Sequence, residues 1–136
     1  MKEDREIDQL FFIVPTLSVR NGAAAIDYYK KAFGAIELTR ITSPDGEVVA
    51  ELSIGTARFV VADEAPEFGN SSPETLGGTP VKIGLQVTDP DSVAMQAVAA
   101  GGKEIYAVAD QDYGYRLGRL VDPFGHHWEI FKPLHT

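Results

Sequence analysis

A chain of 136 residues falls within the size of one domain, and 44% hydrophobic residues suffice for a core without cross-links. Cysteine is absent, which excludes disulfides, thiolate metal sites and cysteine nucleophiles. The net charge of −8, with no block of Lys or Arg, argues against nucleic acid or an anionic membrane as partner, since both need a basic face. The acidic balance reads first as a solvated surface, and its sharper reading is a preference for cationic ligands.

The segment Met1 to Gln9 is charged and polar, without the basic-then-apolar order of a signal peptide, and no apolar run approaches a membrane span. A cytoplasmic protein is expected. Phe11 to Val19 is apolar and β-rich, and Pro15 inside it predicts an edge strand or a bend, because proline donates no ladder hydrogen bond. Asn21 then reads as the cap of a helix that puts Ile26, Tyr29 and Phe33 on one face, with Tyr28 off it, and ends at Gly34. Strands are predicted over Ala35 to Thr42, Glu47 to Ile54 and Ala57 to Ala62. They are joined by the turns Ser43-Pro44-Asp45-Gly46 and Gly55-Thr56.

Asp63 to Thr79 is rich in Pro, Gly, Ser and Asn and reads as a connecting loop; Asn70-Ser71-Ser72 fits a glycosylation pattern only by chance in a chain expected to stay in the cytoplasm. The order then recurs. Val81 to Val87 is a strand, and Asp89 or Asp91 caps a helix through Ala94, Val98 and Ala99 that Gly101-Gly102 ends. Lys103 to Ala109, Tyr115 to Val121 and, after the turn Asp122 to Gly125, His127 to Phe131 are strands.

This recurrence is an internal repeat. Leu17-Ser18-Val19 matches Leu85-Gln86-Val87, Asn21 matches Asp89, Gly34 matches Gly102, and Gly55 with Phe59-Val60 matches Gly125 with Glu129-Ile130. The expected organisation is a polar tail over 1–10, a βαβββ module over 11–64, a linker over 65–79 and a second βαβββ module over 80–136, with 11–136 forming one α+β domain.

Two tracts carry a family resemblance: Leu17-Ser18-Val19-Arg20-Asn21 through Ile26 to Gly34, and Tyr113-Gly114-Tyr115-Arg116 followed by Asp122 to Ile130. They resemble the opening and closing signatures of the glyoxalase/bleomycin-resistance/dioxygenase (vicinal oxygen chelate) superfamily. Ser72 to Pro80 resembles the linker of its small bacterial glyoxalase-like or bleomycin-resistance-like branch. The resemblance implies two βαβββ modules forming a cup-shaped mixed sheet, and a homodimer in which a neighbour completes or borders each cup.

Metal-dependent relatives use four inward-facing His, Gln or Glu ligands, one from the first and one from the last strand of each module. Carried over, those positions are Val14, Lys82, Glu129 and either Phe59 or Val61. Valine has no donor atom and a lysine ammonium repels a divalent cation, so no metal cofactor is expected. The alternative is a shifted site of His127 and Glu129, two apart on one strand face, with Asp110 or Asp112; His126 and His127 otherwise read as surface or turn-packing residues. Lys82 and Glu129 could instead form an ion pair where the metal would sit, unless Lys82 simply starts its strand with its head in solvent.

Tyr113, Tyr115 and Arg116 are candidates to line the cup and hold a planar ligand, against a plain hairpin-packing role; Trp128 and Tyr29 read as core. Glu129 is a candidate general base if desolvated. The expected function is a metal-free protein that sequesters an aromatic or cationic small molecule, as bleomycin-resistance proteins do. The alternative is a metal-dependent lyase, isomerase or dioxygenase with displaced ligands.

Overall fold

The computed structural model describes residues 10–135. The first module runs β1 (Thr16–Val19), α1 (Gly22–Phe33), β2 (Ile36–Thr42), β3 (Val48–Ile54) and β4 (Ala57–Asp63). A 3-10 turn (Pro66–Phe68) and the short helix α2 (Pro73–Leu76) follow. The second module runs β5 (Lys82–Gln86), α3 (Pro90–Ala99), β6 (Lys103–Asp110), β7 (Tyr115–Val121) and β8 (His127–Pro133). Each module makes its own mixed sheet, ordered β1-β4-β3-β2 and β5-β8-β7-β6, so the doubled βαβββ architecture and the α+β class expected from the repeat are present.

Local chemistry sets the helix ends. The Asn21 side chain accepts from the Ala24 amide at 3.1 Å, and Gly34 leaves α1 at a φ of 68° that a side chain would disfavour. Asp89 caps α3 by accepting from the Ser92 amide, with Pro90 in the first turn. Asp63, at the end of β4, accepts from the amides of Gly22 and Val48, both at 2.7 Å, and so ties the start of α1 to β3.

Strand alternation sends Val19, Val48, Ala50, Leu52, Phe59 and Val61 of the first sheet, and Leu85, Leu120, Trp128 and Ile130 of the second, to the helix side, where all are buried. The helices join the modules there. The Tyr28 hydroxyl donates to the Ala97 carbonyl at 2.9 Å, and the Tyr29 ring lies 5.4 Å from Phe59 and 5.5 Å from Trp128. Both sheets therefore share one core, and no helix among the described residues covers the opposite face of either.

Three sequence expectations change. Only Thr16–Val19 of the stretch Phe11 to Val19 forms a strand, at the sheet edge as its proline requires. Among the described residues before it, the ladder link is the Pro15 carbonyl accepting from the Val60 amide. Tyr28 is buried rather than off the apolar face, because α3 covers a second side of α1. The linker is not a plain loop: Ser72 caps α2, is fully buried, and accepts the Thr75 amide, so it is no glycosylation context.

Candidate ligand site on the second sheet

Period-two alternation puts Lys82 and Gly84 of β5, Tyr115, Leu117 and Arg119 of β7, and His127, Glu129 and Phe131 of β8 on the face away from the core. In register, Glu129 stands between Gly84 on one neighbouring strand and Arg119 on the other. Tyr106 of β6 stands opposite Arg119, next to a break in the β6–β7 register.

Charge sits at the centre of this face. The Glu129 carboxylate accepts from Arg119 Nη2 at 3.0 Å, and Lys82 Nζ lies 3.9 Å from the same oxygen. Lys82 and Glu129 thus do face one another, as the sequence allowed, with Arg119 as the closer partner. The Arg119 guanidinium also lies over the Tyr106 ring, 5.1 Å from its centroid. Arg119 Nε is buried without a hydrogen-bond partner among the described residues.

Aromatic rings border the charges. Tyr113 and Tyr115 lie 6.2 Å apart, and Tyr115 meets Phe131 edge-on at 5.7 Å. Two adjoining clefts result. One of about 360 Å³ is lined by Tyr106, Gln111, Tyr113, Leu117, Arg119 and Glu129. The other, of about 410 Å³, is lined by Lys82, Tyr113, Tyr115, Leu117, Glu129 and Phe131. Every one of these lining residues belongs to the second module.

The other expected site residues lie elsewhere. Val14 lines an apolar cleft of about 240 Å³ between the modules, together with Phe12, Ile54, Phe59, Ile83 and Trp128. Phe59 and Val61 point into the shared core, 5% and 0% exposed, so neither is a cup position. The register shows why. Thr16 opposes Val60 as Gly84 opposes Glu129, so Val60 is the first-module counterpart of Glu129. Counting from the turn glycines slips by one because β3–β4 joins through two residues and β7–β8 through five. A slip of one residue exchanges the two faces of a strand.

Arg116 is also corrected. It faces α3, where its guanidinium grips Asp91 through two bonds of 2.8 Å and Asp110 through one of 2.9 Å. Those hydrogen bonds hold the Asp91 carboxyl below its ordinary range and raise Arg116 above its own. Arg119 and Tyr106 were not foreseen. Continuing the alternation from Tyr115 through Leu117 finds Arg119, but a β-bulge hides Tyr106.

The donor set does not fit a divalent metal. Of the four cup positions, Val14 and Val60 offer no donor, Lys82 brings a cation, and Glu129 already carries two positive partners. The shifted set does not assemble either. Asp110 is engaged by Arg116, and His126 Nε2 pairs with the Ser18 carbonyl at 2.9 Å. Among the described residues, no three of His, Asp and Glu converge. His127 does share the Glu129 face, and its Nδ1 is buried without a partner among the described residues. Glu129 is not a desolvated lone base, since it is ion-paired and its side chain is 24% exposed.

Comparison with known proteins places these features in a family. The family model for the Glyoxalase/Bleomycin resistance protein/Dioxygenase superfamily matches residues 7–130. An uncharacterized protein of Mycobacterium bovis, Mb0911c, is 44% identical over 124 residues, spanning 88% of this chain and 82% of its own. The X-ray structure of the Arabidopsis thaliana At5g48480 product covers 89% of this chain and 96% of its own at 27% identity, with a TM-score of 0.67. TioX from a Micromonospora species shares the fold, with a TM-score of 0.70 at 23% identity, covering 93% of this chain and 98% of its own. With the doubled βαβββ module and both signature tracts inside the matched range, this chain belongs to the glyoxalase/bleomycin resistance protein/dioxygenase superfamily.

Proposed function

We propose that this protein binds a small planar aromatic molecule in the paired clefts of its second sheet, without the metal centre used by catalytic relatives. One observation carries the reading: Tyr106, Tyr113, Tyr115 and Phe131 surround a charged centre of Arg119, Glu129 and Lys82. Rings supply stacking area, and the charged groups fix orientation, as small-molecule sites require. The cationic half of the sequence expectation loses its support, because Glu129 has no charge free to offer.

A thermal-shift screen of flat aromatic compounds, followed by calorimetry, tests the proposal. Saturable binding that weakens when Tyr115 is replaced by Ala is expected. A complete lack of binders for a well-folded protein would sink it. Elemental analysis of protein purified without chelator separates the metal-dependent alternative. Well under one divalent ion per chain is expected, and stoichiometric metal would reinstate that alternative.

The same reading takes the protein to be a homodimer whose second copy borders the clefts. Support comes from the first sheet, whose helix-free face carries exposed Ile36, Ile41 and Val49, and from the exposed run Leu10 to Ile13. Light scattering after size exclusion should give twice the chain mass. A monomer at micromolar concentration would remove the dimer from the reading.

A further inference from the structure

Resting on the aromatic-cleft reading above, we propose that the second-sheet clefts select ligands bearing a negative group beside the ring, an aryl carboxylate being the simplest. The chain as a whole is acidic, at −8, but its charge is unevenly placed. The residues lining the two clefts include one acid, Glu129, and two cations, Arg119 and Lys82, so the local sum is one positive charge.

The geometry keeps that surplus available. Arg119 gives Nη2 to Glu129 while its guanidinium lies over the Tyr106 ring; its Nε is buried, so Nη1 is the donor left for a ligand. Lys82 sits at the outer limit of an ion pair with Glu129, 3.9 Å away, and its side chain is 49% exposed. An ammonium held so loosely can turn to an entering carboxylate without leaving Glu129 unpaired, because Arg119 remains. Of the acids nearby, Asp110 and Asp91 are both bound to Arg116 on the helix side of the sheet, and Asp112, between Gln111 and Tyr113, lines neither cleft. Gln111 does not compete for the anion either, since its amide donates to the Ala109 and Leu117 carbonyls. A cationic ligand entering here would meet two like charges and a carboxylate already shared between them.

The experiment uses one ring with three charges: naphthoate, naphthamide and naphthylmethylammonium, titrated into the full chain at neutral pH and low salt. Naphthoate should bind about tenfold tighter than the neutral amide, with the ammonium weakest, and added salt should narrow the gap. Lys82→Met should weaken naphthoate by roughly threefold, as expected for a half-exposed pair. Lys82→Glu should make the ammonium the preferred probe. Lys82 is exposed, so circular dichroism should show both variants folded. Equal binding of all three probes, or a preference for the ammonium by the unaltered protein, overturns the charge inference and leaves the aromatic cleft standing. Failure of all three to bind overturns both.

Discussion

The Tyr29 hydroxyl of the first module donates a hydrogen bond to the Asp122 carboxylate of the second, inside the shared core. Asp122 is 3% exposed and also accepts from Trp128 Nε1 at 3.0 Å and from the amides of Phe124 and His126. One carboxylate therefore closes the β7–β8 loop, anchors the largest core side chain and links the modules. Asp122→Ala strips partners from several buried donors and should cost about 3 kcal/mol or more. Tyr29→Phe removes one donor and should cost about 1–2 kcal/mol. Urea titrations of both variants check this, and a loss under about 1 kcal/mol for Asp122→Ala would show that the carboxylate is not a structural anchor.

Alkaline pH should act on the same cluster. Burial raises both Tyr28 and Tyr29 above the ordinary value of 10.0, and the negative Asp122 raises them further. The folded values lie above the unfolded ones. Stability from these residues is therefore fully present below pH 10 and is lost above it, as only the unfolded chain ionises them. Denaturant midpoints should fall between about pH 10 and pH 11, and the fall should shrink in Tyr29→Phe. Absorbance titration should show two phenols that ionise only on unfolding, and full ionisation of all five tyrosines in the folded protein would contradict the assignment.

The fold was legible because its signals are local and repeated. Asn21 and Asp89 cap, Gly34 terminates, and Leu17-x-Val19 answers Leu85-x-Val87, with no tertiary knowledge required. The site was legible only where alternation ran unbroken from a fixed point. Glu129 and Lys82, reached by alternation along one strand each, do share a face, whereas Phe59 was placed by counting across two turns of unequal length and points into the core instead. Tyr106 lies in a strand whose pairing shifts register, and such shifts leave no periodic trace in the sequence. Arg116 invited a ligand role by sitting among tyrosines, but the single-residue step from Tyr115 turns it to the opposite face, toward α3.

That turn gives Arg116 a different task. By holding Asp91 of α3 and Asp110 of β6 at once, it braces the segment that carries Tyr113 and Tyr115. Arg116→Lys keeps the charge and loses the two-pronged grip, so it should raise amide hydrogen exchange over residues 110–116 and weaken an aromatic ligand by roughly threefold. Global stability should move little, because the pair is solvent-exposed. Unchanged exchange in this segment would mean that the hairpin holds its own shape.

Gly84 offers the sharpest separation of site from scaffold. It stands beside Glu129 in the β5–β8 ladder and lines the inter-module cleft, and a Cβ there would press on the Phe131 ring that borders one of the second-sheet clefts. A Cβ there would come within 3.2 Å of one atom, Cε1 of Phe131, whose half-buried ring can yield by a few tenths of an ångström. Backbone strain is no obstacle, because Gly84 is not among the positive-φ glycines. Replacing glycine inside a strand by Val raises β-propensity, so Gly84→Val should hold or raise the melting temperature. The same change should weaken binding of an aromatic probe by about tenfold, the cost of crowding a fitted site by one small side chain. Measuring both on one preparation decides the matter: a melting temperature held with affinity lost places the ligand against Phe131 and Glu129, whereas affinity retained in a stable Gly84→Val protein keeps the ligand away from the Gly84–Phe131 contact.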